Sequence, residues 1–301
     1  MNYPLVSVIC LSYNHEKYIR EAIESILLQQ YEPIEIILVD DNSADRTCEF
    51  IDGLISQKYG IKKIYLKENI GNCKAFNLGF RESSGDFIID LAGDDVLLSE
   101  RIRIGVETFN RYGNNYGVHF TDAIYINEHS NIIGYHYKRD MNGKLLKDIP
   151  QGDIYHELLS RYFICTPTMM IRRKVLEDLN GYDENLSYED FDFWIRSSRI
   201  YKYCYTDQRL MKKRVLKDSL SKKQYIKNSE ILESTYKVCL KAENLNQNKR
   251  EKYALVRRSR YEFRQALISG NFYLAKKFAS LIQRNTDNIL EKYFFVLFSQ
   301  S

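Results

Sequence analysis

The chain has 301 residues, 44% of them hydrophobic and 28% charged, with only four prolines and a formal net charge of +4. This is the composition of a globular protein with one large core, and it excludes disordered, collagen-like and repeat-built classes. Six cysteines stand singly, without a CxxC pair, and five histidines form no HxxxH spacing, so neither a disulfide framework nor a zinc site is expected.

Leu5 to Leu11 is a β-branched apolar run and predicts a buried strand. From His15 to Gln30 the period changes: Ile19, Ala22, Ile23, Ile26 and Leu27 share one helical face, with Asn14 as the expected N-cap. Ile34 to Val39 reads as a second strand, and Ser43 as the cap of a helix carrying Phe50, Ile51, Leu54 and Ile55. A short third strand, Ile64 to Leu66, precedes a helix around Cys73 to Arg81; Phe87 to Leu91 is a fourth strand, and Ser99 opens another helix. This βαβαβαβ order requires parallel strands with right-handed crossovers, hence an α/β, doubly wound sheet. Ligands of such sheets bind beyond the carboxyl ends of the strands. The residues there are Ser12-Tyr13-Asn14, Asp40-Asp41-Asn42 and Gly93-Asp94-Asp95.

After Tyr116 the pattern shortens. Tyr116 to Phe120, Ala123 to Ile126 and Ile132 to Tyr137 read as strands of a meander, and Thr168 to Ile171 as a further strand. A helix from Lys174 to Asn180 is stopped by Gly181, an amphipathic helix spans Phe191 to Ile200, and Tyr201 to Tyr205 is the last strand. From Ser229 onward the chain reads as helices, with a turn at Gly270-Asn271. Arg209 to Arg264 carries 17 Lys/Arg against 6 Asp/Glu, a basic appendage on an acidic body. Tyr253, Tyr261, Phe263, Phe272, Phe294 and Phe295 are expected to form the core of that tail. The amino terminus lacks the pattern of a signal peptide, and no window approaches the ~20 apolar residues of a membrane span. A soluble, cytoplasmic protein is expected.

Two acidic clusters carry the chemistry. Asp94-Asp95 follow a buried strand, where adjacent like charges are unfavourable unless a hard cation such as Mg²⁺ or Mn²⁺ offsets them; a solvated turn is the plainer reading. Glu189-Asp190 stand at a helix start, where acids are ordinary capping residues and also candidates for a general base. No GxGxxG follows the first strand, no GxxxxGK[ST] occurs, and Leu11-Ser12-Tyr13-Asn14-His15 is not a Gly-rich phosphate loop. Those absences exclude dehydrogenase, P-loop and nucleotidyltransferase readings.

Val6 to Asn14, Ile37 to Ser43, Asn69-Ile70-Gly71 through Asn77, Gly85-Asp86 and Ala92-Gly93-Asp94-Asp95 occur in that order. They are followed by Thr166-Pro167-Thr168-Met169, Gly181-Tyr182-Asp183-Glu184 and Glu189-Asp190. Together they resemble the motifs of family-2 inverting glycosyltransferases of GT-A fold, over about residues 4–221. The resemblance implies a GT-A domain at 1–221, with a nucleotide-sugar half (1–112) and an acceptor half (113–221), and a basic helical extension at 222–301. It implies metal-dependent, inverting sugar transfer from a nucleotide diphosphate donor, a UDP-sugar, to a hydroxyl of a glycan or lipid-linked acceptor in cell-surface polysaccharide synthesis. Leu11 (by backbone), Tyr13, Asp40 and Asp41 would form the nucleobase pocket, and Lys74 would contact base or diphosphate. Asp94 would meet ribose and metal, Asp95 the metal (Mn²⁺ or Mg²⁺). Asp190 would be the catalytic base, with Glu189 and Trp194 near the acceptor.

Two positions depart from the family's pattern. Ala92 replaces the first carboxylate of the DxD motif, and Leu216 replaces histidine in the tail segment Arg214 to Ser221. Arg214 or Lys213 is the expected substitute cation. A non-catalytic scaffold acting through the basic tail is the alternative these departures favour. The tail's charge suits an inner-membrane surface, whereas nucleic acid is not an expected partner, since no reader motif accompanies it.

Overall fold

The computed structural model describes residues 3–55, 60–217 and 219–300. Residues 1–2, 56–59, 218 and 301, and the side chains of residues 55, 220, 221 and 297–300, lie outside the described residues. In chain order the elements begin with β1 (Val6–Ser12), α1 (Ile19–Leu27), β2 (Ile34–Asp40), α2 (Thr47–Ile55), β3 (Ile61–Tyr65), α3 (Asn72–Glu82) and β4 (Phe87–Ala92). There follow β5 (Val96–Leu97), α4 (Arg101–Tyr112), β6 (Tyr116–Ile126), β7 (Ile132–Tyr135), α5 (Tyr155–Ser160), β8 (Met170–Arg172) and α6 (Arg173–Leu179). The chain ends with α7 (Asp190–Ser197), β9 (Lys202–Arg214), α8 (Glu230–Leu245), α9 (Lys249–Ile268), α10 (Phe272–Asn285) and α11 (Ile289–Gln300).

These elements form two compact units that interleave along the sequence. One comprises Met1–Asp153, Ile164–Glu184 and Tyr201–Leu216; the other comprises Ile154–Phe163, Asn185–Ile200 and Lys217–Ser301. The division differs from a single boundary at residue 221, because α5 and α7 bury their apolar faces among the C-terminal helices.

The first unit is built on a nine-stranded sheet whose order begins β3-β2-β1-β4, all parallel. Side chains alternate across a strand, and both sets are buried here. Val8, Cys10, Ile36 and Leu38 share a core with Ile19, Ala22, Ile23 and Ile26 of α1. Ile9 and Val39 lie under α3, so close that a Cβ at Gly79 would come within 2.6 Å of Ile9 and 3.1 Å of Val39. Helices on both faces explain why β1, β2 and β4 read as mainly apolar runs.

The sheet continues through β8, β6, β9 and β5, with β7 paired to β6. The two short strands expected at Tyr116 to Phe120 and Ala123 to Ile126 are one strand, β6. The strand expected at Thr168 is preceded by a 3₁₀ turn, Thr166–Thr168, and begins at Met170. The last strand, β9, runs on to Arg214, parallel to β6 and antiparallel to β5. Neither Asn14 nor Ser43 caps a helix. Asn14, at φ 57°, donates its backbone N–H to Ser43 Oγ at 2.8 Å and accepts from the Ala44 N–H at 2.8 Å. These short polar side chains satisfy loop backbone in place of a helix end.

The second unit is helical. Ser229 caps α8, accepting from the Leu232 N–H at 3.2 Å, and Asn248 caps α9, accepting from the Glu251 N–H at 3.0 Å. Its interior is polar at the centre: Arg258 pairs with buried Glu262 at 3.0 Å and lies 3.9 Å over the Tyr162 ring. Ala254, Leu255, Ala275, Phe278 and Leu281 fill the rest. Of the aromatics expected in this core only Phe295 is buried and Phe263 partly so, while Tyr253, Tyr261, Phe272 and Phe294 are exposed. Among the described residues no helix is long and apolar enough to cross a membrane.

Candidate active site

In the sheet unit, β1, β2 and β4 end side by side: Ser12 pairs with Asp40, and Leu11 with Val39 and Ala92. Parallel strands necessarily deliver their carboxyl ends to one edge, so the three polar segments singled out in the sequence share it. They are not equivalent. Asp40 is 1% exposed, and its carboxylate accepts from Ser12 Oγ at 2.7 Å, the Ser43 N–H at 2.8 Å and Ser43 Oγ at 2.6 Å. It shapes the edge from within.

Asp41 accepts from the Ile70 N–H at 2.8 Å and the Gly71 N–H at 2.9 Å, one on each carboxylate oxygen. It thereby fixes the start of α3, where Gly71 takes a φ of 87°. The first turn of α3 holds exposed Lys74 and no acid. A lysine at the positive end of a helix is locally unfavourable unless an anion joins them. Tyr13 is 47% exposed at the end of β1, an open ring beside these polar groups. The Leu11 carbonyl accepts the Gly93 N–H at 2.7 Å.

Gly93 makes the acidic turn possible. A Cβ there would stand 2.8 Å from His15 Nδ1 and 3.0 Å from the Leu11 carbonyl oxygen, so any side chain would push the turn away from β1. Asp95 is 3% exposed, and its Oδ1 accepts the Arg214 backbone N–H at 2.7 Å. Burial, and then the neighbouring charge of Asp94, push the Asp95 carboxyl well above the usual carboxylate range, against the opposing pull of Lys213 and Arg214. Two adjacent carboxylates, one of them buried and repelled, suit a hard divalent cation. Among the described residues no group of three or more His, Cys, Asp or Glu is placed to hold a metal. A cation at Asp94 and Asp95 would therefore complete its shell with phosphate and water oxygens, as Mg²⁺ and Mn²⁺ do.

Arg214 is one of the two cations expected in place of the tail histidine, and the structure gives its surroundings. Its side chain is fully buried, 4.6 Å over the Tyr18 ring. It donates to the Asp94 carbonyl at 2.9 Å, the Asn127 carbonyl at 2.8 Å, Ser130 Oγ at 3.1 Å and Glu21 at 2.5 Å. The guanidinium fork ties the acidic turn to α1 and to the β6–β7 connection. Arg214→Met leaves those acceptors unpaired and is expected to destabilise by about 2–4 kcal/mol. Arg214→Lys keeps the charge but not the fork and should fall between the two. A thermal melt in which Arg214→Met matches wild type would contradict the clamp.

Another contact that sequence reasoning did not foresee joins two motif segments. Asn77 donates to the Tyr182 carbonyl at 2.9 Å and accepts the Tyr182 N–H at 2.9 Å, while Phe76 stacks on Tyr182 at 4.2 Å. Gly181, at φ 75°, would place a Cβ 2.4 Å from Asn77 Oδ1, which explains glycine there on two counts. In the sequence the position shows as a glycine two residues before the acids Asp183-Glu184.

In the helical unit, Asp190 opens α7 after Glu189. The two acids of the first turn are used differently. Asp192 accepts from Arg196 at 2.6 Å and Lys241 at 2.5 Å. Among the described residues Asp190 Oδ1, which is buried, has no hydrogen-bond partner, a state that is costly for a carboxylate in a structure serving stability alone. Trp194 is 2% exposed and lies edge-on to Tyr162 at 5.5 Å, so its indole is a core residue of this unit.

Residues 7–179, more than half of the chain, match the family described as glycosyl transferase family 2. An uncharacterized glycosyltransferase of Rickettsia typhi is 31% identical over 215 residues, covering 70% of this chain and 64% of the relative. One of Methanocaldococcus jannaschii is 31% identical over 225 residues, covering 71% and 72%. The chain thus spans slightly under two thirds of the rickettsial relative's length. Among solved structures, S. aureus TarS 1-349 in complex with UDP-GlcNAc gives a TM-score of 0.70 at 17% identity, covering 98% of this chain and 88% of that one. The mannosyltransferase PcManGT from Pyrobaculum calidifontis, in complex with GDP-Man and Mn²⁺, gives 0.60 at 14% identity, covering 98% and 79%. At such identities the likeness is one of fold, the GT-A fold expected from the sequence.

Proposed function

The chain belongs to glycosyl transferase family 2, and from that premise we propose that it is a glycosyltransferase of the inverting kind. The donor is a nucleotide diphosphate sugar, in the first instance a UDP-sugar, and the acceptor a hydroxyl of a glycan or lipid-linked intermediate of cell-surface polysaccharide. The observation that carries this reading is the Asp94-Asp95 pair, seated by Gly93 and Arg214 at the edge where β1, β2 and β4 end. The TarS and PcManGT structures, similar in fold, are described with UDP-GlcNAc and with GDP-Man and Mn²⁺, which supports a nucleotide-sugar donor.

Each residue then has a task set by its surroundings. The Tyr13 ring stacks on the base, flanked by the Leu11 backbone. Asp41 has lone pairs left after its two backbone bonds and accepts from the base, while Asp40 holds the loop that carries it. Lys74 and the amino end of α3 take diphosphate charge. Asp94 would meet the ribose and, with Asp95, would hold Mn²⁺ or Mg²⁺, which when bound would supply Lewis-acid stabilisation to the leaving diphosphate. Asp190 takes the proton of the acceptor hydroxyl as that oxygen bonds to the anomeric carbon and the sugar–phosphate bond breaks. Glu189, the residue before it, is the proposed acceptor contact, and buried Trp194 belongs to the helix that they begin.

Calorimetric titration of the full chain with UDP, with and without Mn²⁺, tests the donor half of this reading. Binding strengthened by the metal is expected, as is metal-dependent hydrolysis of one member of a panel of UDP-, GDP- and dTDP-sugars. If neither nucleotide binding nor hydrolysis responds to metal, the enzyme reading fails and a non-catalytic scaffold takes its place.

A further inference from the structure

Helix α9 sorts its charges by sign. Its acids turn inward: Glu251 is paired with Arg199 at 2.8 Å and Glu262 with Arg258 at 3.0 Å, both buried. Outward, Lys249, Tyr253, Arg257, Tyr261, Arg264 and Ile268 are exposed and recur every three or four residues, so they form one stripe along the helix. No acid interrupts that stripe.

The stripe runs into the turn between α9 and α10, which is held by buried Asn271. Its side chain donates to the Ile226 carbonyl at 2.7 Å and accepts the Asn228 N–H at 2.7 Å. Four large apolar side chains are thereby gathered around one turn yet left in solvent: Ile226 (50% exposed), Ile268 (69%), Phe272 (63%) and Tyr273 (69%). Lys227 and Lys276 are exposed among them, and Lys277 lies 4.2 Å over the Tyr273 ring. Tryptophan-free, tyrosine-rich and edged with lysine and arginine, this face carries basic, interfacial and apolar groups in sequence along one helix and its turn.

We infer that the α9 stripe and the α9–α10 turn dock on an anionic lipid bilayer, the cations against headgroups and the apolar turn in the interfacial layer. Cations and aromatic rings alone would equally suit single-stranded nucleic acid. The aliphatic Ile226 and Ile268 gathered with Phe272 at one end are what a bilayer explains and a polynucleotide does not. A second copy of the chain would meet this stripe with the same positive charge, which disfavours self-association across it. The inference does not depend on the transfer reaction proposed above.

Flotation of the full chain with vesicles of phosphatidylcholine, alone or mixed with phosphatidylglycerol, tests it. Wild type is expected to float with the mixed vesicles only, and less at high salt. The double variant Arg257→Glu with Arg264→Glu should lose about tenfold or more in apparent affinity. Ile268→Ser with Phe272→Ser should lose a comparable factor while the salt dependence persists. All four side chains are exposed, so melting temperatures and UDP binding should stay at wild-type values, and a melt on each variant verifies the fold. Equal flotation on neutral and anionic vesicles, or variants that bind like wild type, would overturn the inference. So would tighter binding to a single-stranded oligonucleotide than to mixed vesicles at the same ionic strength.

Discussion

Asp190→Asn is expected to lower kcat by about 10²–10⁴-fold while leaving UDP affinity at its wild-type value. The substitution is nearly isosteric and keeps the residue at the first position of α7, but an amide cannot take the acceptor's proton. The adjacent acid in the same turn supplies the control. Asp192 is already engaged by Arg196 and Lys241, so Asp192→Asn should lower the melting temperature and affect turnover only through folding. Single-turnover transfer with the donor identified by the panel would separate the two. Near wild-type transfer by Asp190→Asn would show that the proton leaves by another route.

Loss of either carboxylate at the β4 end should be nearly as severe. Asp94→Asn and Asp95→Asn are each expected to lower kcat by about 10²–10³-fold and to abolish the strengthening of UDP binding by Mn²⁺. Asparagine at 95 retains an oxygen to accept the Arg214 N–H, now 2.7 Å from Oδ1, so its melting temperature should change little. That outcome distinguishes lost charge from a collapsed turn, which is what Arg214→Met produces. A chelator should inhibit wild type and leave the residual rate of the Asp94 variant unchanged. If Mn²⁺ strengthens UDP binding to both variants as it does to wild type, the acidic pair is not where the cation acts.

Strands β1, β2 and β4 were legible because they are buried on both faces and so are written as mainly apolar runs, whereas the edge strand β3 carries exposed Lys62 and Lys63. The second half of β9 was not, since Arg209, Lys212, Lys213 and Arg214 look like solvated chain, although Arg214 is 3% exposed. The caps were misread for a related reason. Asn14 and Ser43 have the right chemistry for helix starts, but Asn14 bonds to Ser43 and Ala44 on the neighbouring loop, and Ser43 also donates to Asp40 within its own. Motif order in the sequence led to the family and to the acidic pair. It did not reveal that the Asp40 carboxylate is engaged inside its own loop, or that the Trp194 indole is core. Those depend on partners that sequence spacing leaves open.

The interleaving of the two units has a consequence for how the chain can be cut or recombined. Residues 185–200 bring Asp190 into the helical unit, where Ser187 is bonded to Ser234, Tyr188 to Thr235 and Asp192 to Lys241. A fragment ending at residue 221, where motif order suggests the enzyme stops, would retain the donor-edge residues from Leu11 to Asp95 and strand α7 without α8. The proposed base is thus heritable with the tail: exchanging C-terminal helices between related chains would trade the setting of Asp190 along with them.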